Sequence, residues 1–361
     1  MSEAVAISAV ASPMAPSKGV GLLRAWLLLI AVMVYLMILV GGATRLTDSG
    51  LSITEWQPLL GAIPPMSDAD WQTAFIKYQT MTAQFHVNNP DMSLDGFKGI
   101  YWWEWGHRQL GRVIGLAFAA PFLFFWLTGR VSRRLLPHLI VLFMLGGLQG
   151  LIGWWMVASG VNSELTSVAP YRLMTHFCLA LLIISYCFWL WLELGTKRQD
   201  VPVQAKGWAT SILAVTALQM ALGALVAGLD AGRGFTDWPL MAGEVVPETM
   251  WALDPVWRNL FENPATAQFV HRLTAYALLA IAIWCAWRFR TQNWSLFPLF
   301  GGLAAMQAVL GVVTLVNAAP VDLSLAHQGL GVILLVAATR VRWTASVPQA
   351  DAAAKSSFAR G

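Results

Sequence analysis

Charge is what this sequence has least of. Asp, Glu, Lys and Arg together make up 12% of 361 residues, against 57% hydrophobic residues. That imbalance excludes a single soluble domain of this size and fits a chain threaded repeatedly through a bilayer. Cysteine is nearly absent. Cys178, Cys187 and Cys285 all fall inside apolar runs, and neither CxxC nor CxxCH occurs. This argues against zinc, iron–sulfur and covalently attached c-type heme sites and leaves any metal centre to histidine or carboxylate. No nucleic-acid motif is present, and the net charge of +4 comes mostly from Lys and Arg in short loops, so it reports topology. A convincing signal peptide is also missing. Residues 1–20 are rich in Ala, Ser and Pro with only Lys18 near the first apolar run, and read as a flexible tail.

What the sequence has in quantity is long apolar runs. Runs of roughly twenty residues, the length a bilayer core requires, occur near 21–43, 101–128, 135–158, 170–193, 207–228, 265–288, 294–317 and 322–340. Eight spans follow. The short connections near 129–134, 194–206 and 288–293 carry Arg130, Arg133, Arg134, Lys197, Arg198, Lys206, Arg288 and Arg290. By the positive-inside rule these loops, and with them both termini, face the cytoplasm. The long connections 44–100 and 229–264 then face outward. Their Trp56, Trp71, Trp238, Trp251 and Trp257 want an apolar surface to rest on, so both loops are expected to fold as partly ordered caps.

The spans repeat. LVGG at 39–42 matches LVAG at 225–228, and GHRQLGRVIGLA at 106–117 matches VHRLTAYALLA at 270–280. LQGLIGW at 148–154 matches MQAVLGV at 306–312, and THFCLALLI at 175–183 matches AHQGLGVIL at 326–334. Four matched segments in one order define two units of four spans, related by an axis along the membrane normal. The expected fold is therefore an all-α membrane protein with eight transmembrane helices in two parallel, repeat-related four-helix bundles. The expected organisation is a tail over 1–20, an N-terminal half over 21–193 that includes the outer loop 44–100, a cytoplasmic linker over 194–206, a C-terminal half over 207–342 and a second tail over 343–361.

The repeat places His107, His176, His271 and His327 on the even-numbered spans, each five or six residues inside the outer boundary. At about 1.5 Å per residue they form one layer roughly 9 Å deep. Two histidines of one half come from spans running in the same direction, so their imidazoles can face each other across a bundle, as the axial ligands of a six-coordinate heme do. A lone membrane histidine is ordinarily a hydrogen-bonded packing residue; four at one depth in two related pairs favour paired ligation. His86, in the outer loop, and His138, at the cytoplasmic start of the third span, stand apart.

The stretch YWWEWGHRQLGRVIG, Tyr101 to Gly115, concentrates charge at the mouth of a span. Glu104 and His107 are three apart and share a helix face, and an ionisable residue at such a place marks function by default. A Trp/Arg cluster can equally anchor a span among headgroups. The second half offers Gln268 where the first has Glu104, so one site reads as reactive and the other as structural or electron-carrying. Arg108, Arg112, Arg172 and Arg272 near the outer surface suit the propionates of a heme, or snorkel to the interface.

With these residues in view, the chain resembles the heme A synthase family. The resemblance covers nearly all of 20–342 and rests on the eight spans, on GGATRLTDSGLSITEWQP after the first span, on ExxHR at Glu104 to Arg108, and on the histidines at 176, 271 and 327. It implies an oxidoreductase of the inner membrane that converts a methyl group of heme O to the formyl group of heme A through an alcohol and a hydrated aldehyde. It implies a resident heme b on His271 and His327, with Arg272 beside it, and a substrate heme on His107 and His176. Arg108, Arg112 and Arg172 would contact that substrate, and Glu104 would stand beside the reacting methyl as proton acceptor or electrostatic stabiliser. Members with a cysteine pair in the first outer loop differ from this chain, which has none between 44 and 100. Implied partners are heme O, membrane lipid, heme O synthase (protoheme farnesyltransferase) and an electron acceptor, with no nucleic acid; a homo-oligomer is allowed. The competing readings are a bis-histidine diheme electron carrier, which should place ligand pairs at both faces, and a heme transporter, which should have spans broken near the midplane.

Overall fold

The computed structural model describes residues 18–196, 204–290 and 296–346. The N-terminal tail up to residue 17, the loop residues Lys197 and Arg198, and most of the C-terminal tail lie outside the described residues. Among the described residues, eight helices are long and apolar enough to cross a membrane. They are α1 (Lys18–Leu46), α4 (Leu94–Leu127), α5 (Leu136–Val157), α6 (Pro170–Glu193), α7 (Ala205–Gly228), α10 (Pro264–Arg288), α11 (Leu296–Val316) and α12 (Val321–Thr344). The short helices α2 (Asp68–Met81), α3 (Ala83–Asn88), α8 (Ala231–Gly234) and α9 (Asn259–Glu262) lie in the two long connections. The chain is a multi-pass, all-helical membrane protein.

Helices α1, α4, α5 and α6 pack around one ring, and α7, α10, α11 and α12 around another. The rings meet through α1 against α12, α6 against α7 and α6 against α12. Their tightly packed cores lie towards one end only. In the first, Leu23, Leu27 and Ile30 of α1 meet Phe118, Phe122 and Phe125 of α4, Leu139 of α5 and Cys187 and Leu190 of α6. In the second, Ala205, Ile212, Ala282, Cys285, Phe297, Phe300 and Ala338 do the same. Both cores sit beside the short, arginine-bearing loops. Lipid is as apolar as these side chains, so association here depends on close packing more than on escape from water. Trp26 illustrates it: its indole packs tilted against Phe118, ring centroids 4.9 Å apart, and donates to the Ala117 carbonyl at 2.9 Å.

The opposite end opens into a cavity and is roofed by the long connections. Helix α4 begins at Leu94, about two turns before its apolar run. Ser93 caps it and Asp95 occupies its first turn, so the polar residues ahead of Tyr101 continue the helix beyond the membrane. Trp71, Phe75 and Tyr78 line one face of α2 at helical spacing and bury themselves against Phe97 and Tyr101 on this extension. Burial of each large side chain from water contributes about 1.5–3 kcal/mol, enough to hold the cap. Of the five outer-loop tryptophans expected to be covered, only Trp71 is buried; Trp56, Trp238, Trp251 and Trp257 are exposed. Their amphipathic rings instead suit the headgroup region, and Trp238 donates to the Tyr276 hydroxyl at 2.9 Å.

Candidate functional site

A cavity of about 2050 Å³ lies among the ends of the eight spanning helices that face the long connections, lined by His107, His176, His271 and His327 together. Ordinary ligand pockets hold about 300–1,000 Å³, so this one has room for more than one large molecule. His176, His271 and His327 follow the starts of α6, α10 and α12 by six or seven residues, a depth of roughly 9–10 Å. His107 lies deeper in α4 only because that helix starts earlier. His107 is within electrostatic reach of His176, and His271 of His327. His86 is exposed beside Phe85, and His138 Nδ1 stands 2.6 Å from the Tyr186 hydroxyl; neither lines the cavity.

Each cavity histidine is received by a glycine on a neighbouring helix. A Cβ at Gly41 would stand 3.1 Å from His107, at Gly153 2.9 Å from His176, at Gly223 3.1 Å from His271 and at Gly311 2.9 Å from His327. Any side chain there would push the imidazole aside, so close approach of ring to backbone is what these glycines supply.

Glu104 is 2% exposed and lines the cavity one turn before His107. It accepts from the Ser52 hydroxyl at 2.8 Å, from Ile53 N at 2.7 Å and from Arg108 at 2.5 Å. Arg108 also donates to the carbonyls of Ile53 and Glu55, and Arg112 to those of Gln57 and Pro58. Three side chains one turn apart on α4 thus strap residues 52–58 across the mouth of the first-half site. The second half repeats the device with a neutral group. Gln268, also 2% exposed, donates to the Ala231 and Phe235 carbonyls and accepts from Arg272, which reaches on to Leu240 O at 2.9 Å. All of Glu104's partners donate, whereas Gln268 faces two acceptors.

Arg172 lies outside the cavity lining, donating to Trp155 O at 2.7 Å with its guanidinium over the Trp155 ring. Two arginines that sequence reasoning passed over do line it, Arg45 and Arg233. Arg45, at the end of α1, pairs with Asp230 at 2.7 Å and with Asp48 at 3.5 Å, joining the two halves over the cavity. The signal was available in the GGATRLTDSG stretch, but nothing local pointed to Asp230 as partner. Burial pushes the Asp48 carboxyl above its ordinary value of 3.8, against the opposing field of Arg45. A carboxyl raised in the fold deprotonates earlier in the unfolded chain, so stability is lost as pH climbs from the ordinary value through the folded one. Asp48→Asn is therefore expected to be at least as heat-stable as the parent at pH 7, the two converging below pH 4. A thermal melt in detergent followed by tryptophan fluorescence reads this, and a deficit at pH 7 that disappears in acid would refute it.

A sequence profile described as cytochrome oxidase assembly protein matches residues 24–339. The chain is 53% identical to the heme A synthase of Hyphomonas neptunium, an alignment covering 91% of this chain and 94% of that protein. It is 46% identical to the heme A synthase of a Ruegeria species over 91% of this chain and 90% of the relative. Against the heme A synthase of Agrobacterium fabrum the identity is 47%, with 87% of each chain covered.

Proposed function

The chain belongs to the cytochrome oxidase assembly family of heme A synthases, and on that premise we propose how its four histidines divide the work. The protein is an oxidoreductase that converts a methyl group of heme O to the formyl group of heme A for terminal oxidase assembly. His107 and His176 receive the heme O substrate. His271 and His327 hold a resident heme b. The observation that carries this division is the exchange of an acid for an amide at corresponding positions, Glu104 in one half and Gln268 in the other.

The donor set fits heme and not a bare ion. Among the described residues no group of three or more His, Cys, Asp or Glu converges as a caged metal ion would need. What the cavity presents instead is imidazoles in pairs, with His176 Nδ1 buried and unpartnered. A resident heme b supplies one-electron redox capacity. The chain's own residues do the rest. Glu104, on the same face as His107 and one turn away, takes up a proton or stabilises positive charge at the oxidised carbon. Arg108 and Arg112 orient the substrate's propionates from the mouth, and Arg272 those of the resident heme; Arg172 is held on Trp155, a step back from this wall. The strap over residues 52–58 keeps water from the first site. The positive charge of the short loops bearing Arg130, Arg133, Arg134, Arg288 and Arg290 supports a cytoplasmic packed end; on this reading the protein lies in the inner membrane with both heme sites towards the periplasm. Heme O synthase upstream and an electron acceptor downstream complete the reaction.

The test is expression in cells that make heme O but lack their own heme A synthase, with non-covalent hemes extracted and identified by mass. Heme A should appear, and heme b should copurify with the protein. Accumulation of heme O alone would refute the activity.

A further inference from the structure

In three of the four histidine contacts the residue four positions before the receiving glycine is glutamine. The pairs are Gln149 with Gly153 on α5, Gln219 with Gly223 on α7, and Gln307 with Gly311 on α11. On α1 the residue four before Gly41 is Met37. A spacing of four puts both side chains on one face, one turn apart, so each glutamine reaches the turn that carries the histidine.

Gln149 donates to the His176 carbonyl at 3.1 Å and lies 3.3 Å from that ring's Nε2. Gln219 donates to the His271 carbonyl at 3.1 Å and lies 3.1 and 3.2 Å from its two ring nitrogens. Gln307 donates to the His327 carbonyl at 2.9 Å and lies 3.2 and 3.5 Å from its ring nitrogens. Met37 instead lays its methyl 3.1 Å from where a Cβ on Gly111 would be, one turn beyond His107. The three amides have a further feature in common. Oε1 of Gln149, of Gln219 and of Gln307 is buried without a hydrogen-bond partner. An unmet buried acceptor costs about 1–3 kcal/mol, and its occurrence three times, always beside an imidazole, calls for a donor that appears in the working protein.

A neutral imidazole that gives one ring lone pair to iron carries its proton on the other nitrogen, and a metal-ligating histidine almost always donates that proton to a fixed acceptor. We propose that Gln149, Gln219 and Gln307 are positioning residues that accept the ring N–H of His176, His271 and His327 when these ligate heme iron, and that His107, which has Met37 at the corresponding position, is the one axial ligand left without such a partner. The inference rests on the assignment of the histidine pairs to two hemes. For Oε1 to accept from the ring, each amide turns so that Nε2 leaves the histidine carbonyl to which it donates here, a carbonyl that keeps its own helical N–H partner four residues on, and the adjacent glycine leaves the ring room to turn to meet it. A thioether is only a weak acceptor. His107 is therefore the least tightly oriented of the four and its bond to iron the easiest to break. That asymmetry suits a half whose heme arrives as substrate and departs as product, while a heme buttressed on both sides stays.

The test uses the full-length protein purified in detergent with its heme b. Gln219→Met and Gln307→Met copy the Met37 arrangement with an unbranched side chain of similar length; Gln219→Glu keeps an acceptor. Each Met variant should weaken heme b retention roughly 10- to 100-fold and move its midpoint potential upward, because an imidazole stripped of its N–H acceptor is a poorer donor to ferric iron. Gln219→Glu should retain heme b with a potential at or below that of the parent. Met37→Gln should slow the release of heme from the first half, leaving heme A on the purified protein. Unchanged retention and potential in both Met variants, or unchanged release in Met37→Gln, would overturn the proposal. Failure of the underlying assignment looks different: the parent itself would then lack a low-spin heme b that disappears with His271.

Discussion

Glu104→Gln is expected to cut heme A formation by roughly 10²- to 10⁴-fold, the range over which general acid–base and preorganised electrostatic groups act, while heme b stays bound to the second half. The substitution keeps the shape of the side chain and removes its charge, but the site is not neutral to the change. Ser52, Ile53 N and Arg108 all donate to the carboxylate, and a glutamine carbonyl can take only part of that set. One donor is left facing the new amide NH₂, a loss of about 1–3 kcal/mol, so residues 52–58 should loosen over the cavity mouth as well. Heme b content separates the two effects, because on the proposed assignment it depends on helices α10 and α12 and not on this strap. The extract should contain heme O or its hydroxylated derivative in place of heme A. Wild-type levels of heme A would remove Glu104 from the chemistry. The reciprocal change is informative too: Gln268→Glu would set a carboxylate against the Ala231 and Phe235 carbonyls, so the second half cannot be made reactive by this exchange alone.

The spans and the layer of histidines are legible in the sequence because both are carried by short-range regularities. An apolar run of bilayer length announces its own helix, and the repeat of GHRQLGRVIGLA as VHRLTAYALLA puts His107 and His271 at one depth with no knowledge of contacts. The outward extension of α4 is not legible in that way. Residues 94–100 are polar enough to read as loop, and only the aromatic face of α2 packing on Phe97 and Tyr101 makes them helix. The partners of Glu104 are equally hidden, since Ser52 and Ile53 lie about fifty positions away and no periodicity connects them. The glutamines opposite the histidines fall between these cases. Their spacing from Gly153, Gly223 and Gly311 is visible in the sequence, but without the contacts it reads as polar residues scattered along apolar helices.

His271→Ala combined with His327→Ala is expected to remove heme b altogether. Each imidazole fills the gap before a glycine, Gly223 or Gly311, and each is addressed by a glutamine amide, Gln219 or Gln307. Truncation to alanine therefore takes away the nitrogen ligand and opens a small pocket at the same place. No other histidine on these four helices can replace it, as His107 and His176 belong to the other ring of helices. The purified double variant should lack the low-spin spectrum of the parent. Because glycine walls the vacated space, added imidazole has room to enter it and should restore part of the low-spin signal, which a globally unfolded protein would not do. The matching pair His107→Ala with His176→Ala should give the opposite pattern, a parent-like heme b spectrum with no heme A in the extract. Heme b at full stoichiometry in His271→Ala/His327→Ala would assign the resident heme to the wrong half, and with it the direction in which electrons leave the oxidised methyl group.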